Sequence, residues 1–173
     1  MFNDMLRIRS TTREDVPVLL SLIRELAKFE KKPHKVVVTE ADLLRDGFGQ
    51  QQKFRALIAD WEDEPAGYAS FFYFYSTFHG RPALFLEDLF VLDKFRGKGM
   101  GRALLAAVAK LAIDEGCVGL RWEVLDWNRP AIEFYEKLGA TFLDERRAVA
   151  FDEDALRRVA EGYSPQSHKD TEN

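Results

Sequence analysis

Cysteine is nearly absent: Cys117 is the one thiol in 173 residues. A single cysteine excludes an internal disulfide and a cysteine-based zinc cage, and it fits a reducing compartment, so a cytoplasmic location is expected. Histidine is scarce as well. His34, His79 and His168 show no metal-ligand spacing, and no metal is expected. Apolar runs of the roughly 18 residues a membrane span requires are missing, as is an apolar segment behind a basic start, so the reading is a soluble, unexported protein. An excess of positive charge is missing too. The chain has 25 Lys and Arg interspersed with 29 Asp and Glu, for a formal net charge of −4. The electrostatic footprint of a nucleic-acid binder is therefore lacking, while a cationic substrate remains compatible.

What the chain does contain is apolar material: 46% hydrophobic residues, with 14 Phe and 3 Trp. That suffices for one domain with a substantial core, expected over residues 1–163 and followed by a polar, disordered tail at 164–173. No internal repeat or low-complexity block is visible.

The elements follow from periodicity and punctuation. A strand is predicted at 6–9. Thr12 with Asp15 is a helix start, followed by Val16, Leu19, Leu20, Ile23, Leu26 and Ala27 at helical spacing. Thr39 with Asp42 repeats the signal for a shorter helix, with Gly47 as its stop. Residues 54–61 and 67–75 read as a hairpin turning at Asp63-Glu64-Pro65, and 83–92 as a third strand beyond the turn His79-Gly80-Arg81-Pro82. Only Glu87 and Asp88 interrupt that third apolar run. A helix at 102–113 ending at Gly116, a strand at 119–126 and a short helix from Pro130 to a stop at Gly139 come next. Closing strands are predicted at 141–143 and 148–151, and a terminal helix at 152–161. The order describes an α/β (α+β mixed) fold: a mixed sheet flanked by helices, with one parallel crossover between the Glu87 strand and the Gly119 strand.

Arg96-Gly97-Lys98-Gly99-Met100-Gly101 places three alternating glycines at a strand-to-helix turn. Such a loop can aim backbone N–H groups and a helix N-terminus at a pyrophosphate, with Arg96 and Lys98 adding countercharge. It can equally be a tight entry into the helix. It lacks the GK[ST] ending that supports Mg²⁺ and the G-x-G-x-x-G spacing of a dinucleotide fold, so a phosphorylated carrier bound without metal is favoured.

Arg96-x-x-Gly99-x-Gly101 resembles the acetyl-CoA signature of the GNAT N-acetyltransferases. Ile23-Arg24-Glu25-Leu26-Ala27-Lys28-Phe29-Glu30, TEADLLRDGFG at 39–49, LFLEDLFV at 84–91 and WNRPAIEFYEKLGA at 127–140 resemble the diamine acetyltransferases, covering about residues 7–143. Phe29, Tyr75-Ser76-Thr77 and Val124-Leu125-Asp126-Trp127-Asn128 lean toward the thialysine branch over the spermidine/spermine branch. After Leu143 the resemblance decays, where Asp144-Glu145-Arg146-Arg147-Ala148 stands in place of the family's Trp-bearing strand. The resemblance implies a GNAT fold with a mostly antiparallel twisted sheet, acetyl-CoA as co-substrate, a small-molecule amine as acceptor and a homodimer. No nucleic acid and no membrane is expected as partner.

An alkyl ammonium titrates near ~10 and must lose a proton before it attacks a thioester. Glu87 is the candidate base, direct or through water, with Asp88 its neighbour; alternation sends one of the two carboxylates to the core face or a cleft. A strand-end carboxylate bonded to a lysine or a helix end is the alternative. The resemblance makes Tyr135 the general acid for the leaving thiolate, although its spacing with Ala131, Phe134 and Leu138 also fits plain packing. It likewise implies coenzyme contacts at Leu89, Phe90 and Val91, at Arg96, Gly97, Lys98, Gly99, Met100, Gly101 and Arg102, and at Asn128, Pro130, Ala131 and Lys137. A backbone N–H among Leu89 to Val91 is expected to meet the oxyanion. Phe29, Glu30, Glu87, Arg121, Trp122 and Glu123 match acceptor-facing positions; Glu30 also reads as a solvated helix end. An acetyltransferase for a protein N-terminus or an antibiotic amine, or a non-catalytic acyl-CoA sensor, remains the alternative.

Overall fold

The computed structural model describes residues 5–145 and 148–161. The predicted tail at 164–173 and the pair Arg146-Arg147 lie outside the described residues. Two units are described in turn, one up to Leu125 and one from Asp126 onward.

The first unit runs β1 (Leu6–Ser10), α1 (Val16–Phe29), α2 (Glu40–Phe48), β2 (Arg55–Trp61), β3 (Glu64–Ser76), β4 (Arg81–Val91), α3 (Met100–Asp114) and β5 (Leu120–Trp122). The strands lie side by side in chain order. β1 to β4 are antiparallel neighbours, and β5 joins β4 in parallel, as a crossover through α3 requires.

Local chemistry explains the boundaries. Thr39 Oγ1 accepts from the Asp42 N–H at 3.2 Å while the Asp42 carboxylate accepts from the Thr39 N–H at 3.0 Å, a reciprocal cap that starts α2. The predicted stop at Gly47 is wrong. α2 continues to Phe48, and Gly49 is its C-cap; Gly47 is needed because a Cβ there would stand 2.9 Å from the Phe54 ring. The β2–β3 turn is also tighter than predicted. Trp61 faces Glu64 across it, and the central residues Glu62 and Asp63 have φ of 50° and 63°, the left-handed pair that matches strand twist in a two-residue hairpin. β5 covers three residues of the predicted eight.

Helices cover both faces of the sheet. On one face Leu19 and Leu22 of α1 pack with Ala56, Ile58, Tyr68 and Phe90. Alternation turns Leu57, Ala59, Ala69 and Phe71 to the other face, where α3 lies against β1 through β4 and buries Met100, Leu104 and Val108. This two-sided burial is why β2 and β3 read as near-continuous apolar runs. Asp60 is a buried exception. It accepts from Arg9 Nε at 2.7 Å and Arg7 Nη2 at 3.0 Å, and Arg9 also bonds Asp15 at 2.7 Å, so the buried charge is compensated and ties β1 and β2 to the start of α1.

The second unit contains α4 (Arg129–Lys137) and α5 (Glu153–Glu161). The closing strands predicted at 141–143 and 148–151 are not formed. A strand needs a partner ladder and a buried face, and here the described residues pair with none, with Leu143, Val149 and Phe151 exposed.

Gly67 lets β3 approach the end of β4: a Cβ at this position would stand 2.5 Å from the Phe90 carbonyl oxygen. Gly67→Ala is expected to destabilise the protein by about 1–3 kcal/mol, read as a lowered urea midpoint. An unchanged midpoint would show that β4 moves aside at little cost.

Candidate active site

The charge inside β4 coincides with a change of register. Asp88 lies opposite Ser70 and Leu86 opposite Phe71, so Glu87 has no partner on β3. In a regular strand residues 86 and 88 would share a face; the one-residue bulge sends Leu86 to the α3 face and Asp88 to the α1 face. The bulge also falls where β5 stops, since the last parallel pair is Leu86 with Trp122. Beyond it one edge of β4 has no strand beside it among the described residues. The Leu92 N–H donates to the Ala66 carbonyl at 2.8 Å, which fixes the alternation. Asp88 and Phe90 exchange bonds with β3, and the backbone groups of Leu89 and Val91 point to the open edge.

Four carboxylates gather around this point. Glu87 is exposed as a residue, but partial burial of its carboxyl, with the charges of Asp88 and Glu123, raises its pKa. Burial raises Asp88 as well, and the Ser70 hydroxyl, donating to Oδ2 at 2.7 Å, pulls it back. The buried Tyr68 hydroxyl acts on Asp88 in the same sense, though it stands outside hydrogen-bond geometry and has no hydrogen-bond partner among the described residues. Burial, followed by the charges of Asp88, Glu30 and Glu87, raises the Tyr68 phenol. None of Glu30, Glu87, Asp88 and Glu123 forms an ion pair among the described residues. Nor are they gathered closely enough to hold a metal ion.

At the far end of β4 the glycine loop leads into α3. Gly97 and Gly99 have φ of 77° and 82°, and Gly99 is the N-cap residue. A Cβ on Gly97, Gly99 or Gly101 would meet nothing within 4 Å, so the side of the loop these glycines leave bare is open. The Gly97, Lys98 and Gly99 N–H groups donate to no backbone carbonyl among the described residues, and the first turn of α3 adds its own unsatisfied donors. An anionic pyrophosphate fits this set of donors.

The cations beside the loop are arranged unevenly. Arg96 Nε donates to the Val91 carbonyl at 3.2 Å, its Nη1 pairs with Asp93 at 3.0 Å, and its guanidinium covers the Phe29 ring at 4.6 Å. Lys98 Nζ lies 4.4 Å from the Trp61 ring and 5.4 Å from Phe95. Both predicted countercharges thus rest on aromatic faces. Arg102 is exposed in the first turn of α3 and has no partner among the described residues. Met100 is buried and anchors the helix start.

The predicted acceptor residues divide. Phe29 ends α1 with its ring 6.3 Å from Phe90, and Glu30 caps the same helix by donating its N–H to the Leu26 carbonyl. Arg121 lies over Phe74 at 5.3 Å on β5. Trp122 follows it and faces the other side of the sheet, and Glu123 comes just beyond, within electrostatic reach of Glu87.

In the second unit, Asn128 Oδ1 accepts from the Ala131 N–H at 3.4 Å, so Asn128 is the α4 cap. Pro130 occupies the first turn and Lys137 the last. Tyr135 is buried, its ring 5.2 Å from Phe134, and burial raises its phenol.

The sequence profile of the Acetyltransferase (GNAT) family matches residues 20–140. The chain is a GNAT acetyltransferase. Families of this type use acetyl-CoA as co-substrate. The acetyltransferase is 37% identical over 165 residues to thialysine N-epsilon-acetyltransferase of Mus musculus, covering 89% of this chain and 96% of that one. It is 35% identical over 144 residues to spermidine/spermine N(1)-acetyltransferase-like protein 1 of Homo sapiens, covering 79% of this chain and 21% of that larger protein. An integron cassette protein from the mobile metagenome of V. cholerae has the same fold, with a TM-score of 0.77 at 24% identity, covering 91% of this chain and 98% of that one.

Sequence reasoning missed Tyr68 and Ser70. Ser70 is a polar residue inside an apolar strand, but only the register sets it opposite Asp88.

The uneven cations give a direct test. Arg102→Ala is expected to weaken CoA binding by calorimetry about tenfold or more, the worth of a hydrogen bond to a charged group, and Lys98→Ala much less. The reverse order would show that Lys98 leaves Trp61 for the ligand.

Proposed function

We propose that the acetyltransferase acts on a primary amine of a small diamine or thialysine-like amino acid. Glu87 is the observation that carries this reading: a carboxyl on a bulge at the open edge of β4, lifted above its usual range, with no cation paired to it among the described residues. Acetyl-CoA supplies the acetyl group as a thioester. The chain's own residues then have separable tasks.

Glu87 takes a proton from the acceptor ammonium, directly or through one water. Glu30 and Glu123 attract the second charged group of the acceptor, and Phe29 flanks its alkyl part; Trp122, expected to line it too, pairs with Leu86 on the opposite side of the sheet. The Leu89 or Val91 N–H donates to the oxygen on which negative charge develops. The loop from Gly97 to Gly101, with Arg102, binds the pyrophosphate. The Tyr135 hydroxyl gives a proton to the departing sulfur, and Asn128, Pro130, Ala131 and Lys137 serve the coenzyme arm. The reading also holds that residues 1–163 act as one domain, in a homodimer, in the cytoplasm. The names of the mouse and human relatives support the acceptor class.

CoA release across a panel of thialysine, lysine, putrescine, spermidine and spermine tests the acceptor. Thialysine turnover is expected, with Glu87→Gln and Tyr135→Phe each lowering kcat by about 10²–10⁴-fold. No turnover of any amine, with acetyl-CoA still bound, would sink the reading. The pH dependence has a definite sign. Glu87 must be ionised to act, so activity falls as pH drops through its raised pKa, and the acid limb of kcat/KM lies above the ordinary carboxylate range.

A further inference from the structure

Across the bulge, three polar side chains share the α1 face: Tyr68 and Ser70 on β3, and Asp88 on β4. Ser70 is 7% exposed and spends its hydroxyl on Asp88 at 2.7 Å. Tyr68 is 0% exposed, with Phe90 edge-on to its ring at 6.5 Å, and its hydroxyl has no hydrogen-bond partner among the described residues. A buried hydroxyl is stable only when bonded, and Asp88, diagonal to Tyr68 across the strand pair, acts on it more strongly than Glu30 or Glu87.

The charges around this group come from every neighbouring segment. Glu30 stands at the end of α1, Glu87 on the bulge and Glu123 beyond β5. Arg96 is held over Phe29 and Phe90. Three carboxylates and one committed guanidinium leave Asp88 without a paired cation among the described residues. The Ser70 hydroxyl, with Tyr68 acting in the same sense, opposes the rise that burial gives Asp88.

We propose that Tyr68 and Ser70 are positioning residues that hold the Asp88 carboxylate ionised and fixed beside Glu87, Ser70 by its hydrogen bond and Tyr68 from the same face of the sheet, so that Asp88's charge strengthens Glu87 as a base. The inference rests on Glu87 being that base. Asp88 itself is passed no proton in this scheme: the acceptor's proton goes to Glu87, and Asp88 contributes field alone.

The sign of the effect is fixed. Removing a donor makes the Asp88 anion less stable, so Asp88 holds its proton to higher pH. While Asp88 is neutral, Glu87 lacks a neighbouring negative charge and is a weaker base. Full activity is then reached only at higher pH. The pair titrates as a unit, so the limb reports both groups.

The experiment is the pH profile of kcat/KM for Ser70→Ala, Tyr68→Phe, Asp88→Asn and Glu87→Gln, with melting curves alongside. Ser70→Ala and Tyr68→Phe are expected to move the acid limb up by about one pH unit, a tenfold loss below it, and to recover at alkaline pH with KM for acetyl-CoA unchanged. Asp88→Asn is expected to lose activity without that recovery. An unmoved limb in folded Ser70→Ala, with Glu87→Gln inactive, overturns the inference and leaves the base reading standing. An active Glu87→Gln overturns the base reading itself. Should Tyr68→Phe fail to fold, Ser70→Ala decides alone.

Discussion

One inserted residue in β4 governs the chemistry of the sheet. The bulge at Glu87 breaks the alternation that would have put residues 86 and 88 on one face, so the strand can bury Leu86 under α3 and still offer Asp88 to Ser70 on the opposite side. It lies at the end of β5, where the second edge of β4 loses its neighbour. Backbone donors and carboxylates are thereby collected at one step of one strand. A regular β4 paired on both edges would satisfy its hydrogen bonds internally and leave nothing for a ligand.

The same economy applies to the positive groups. Arg96 is used within the fold: it holds the Val91 carbonyl, pairs with Asp93 and covers Phe29. Its charge thus ties the phosphate loop to the end of the first helix, where Phe29 and Glu30 stand. The glycines then have a clear task. They keep the loop bare and permit the positive φ at Gly97 and Gly99 that aims the backbone donors. The loop therefore presents unsatisfied N–H groups and a helix terminus, with Arg102 exposed and without a partner among the described residues.

The carboxylates near Glu87 are the counterpart. The charges of Asp88 and Glu123 act on the Glu87 carboxyl, and no cation pairs with it among the described residues. The proteins named as thialysine and spermidine/spermine-like acetyltransferases share over a third of the aligned residues with this chain.

Much of the fold was legible because its signals are local. The Thr12 and Thr39 starts and the 3.6-residue stripe of α1 depend on neighbours a few positions away, as do the stop at Gly116 and the glycine loop. Where reasoning failed, the deciding partner was distant. Gly47 looked like a stop but is a packing site for Phe54. The apolar segments at 141–143 and 148–151 have strand composition, but no ladder beside them. The anomalous Glu87-Asp88 pair was visible in the sequence as charge within an apolar run. Which carboxyl sits on the bulge and which bonds Ser70 was settled by register, a property of two strands and a turn. The sequence by itself determined most of the helices and strands up to Trp122, the glycine turn into α3 and the placing of two carboxylates inside β4. The tertiary structure alone decided that Arg96 and Lys98 lie on aromatic rings and that Tyr68 and Ser70 stand behind Asp88, because side-chain commitments depend on contacts between segments far apart in the chain.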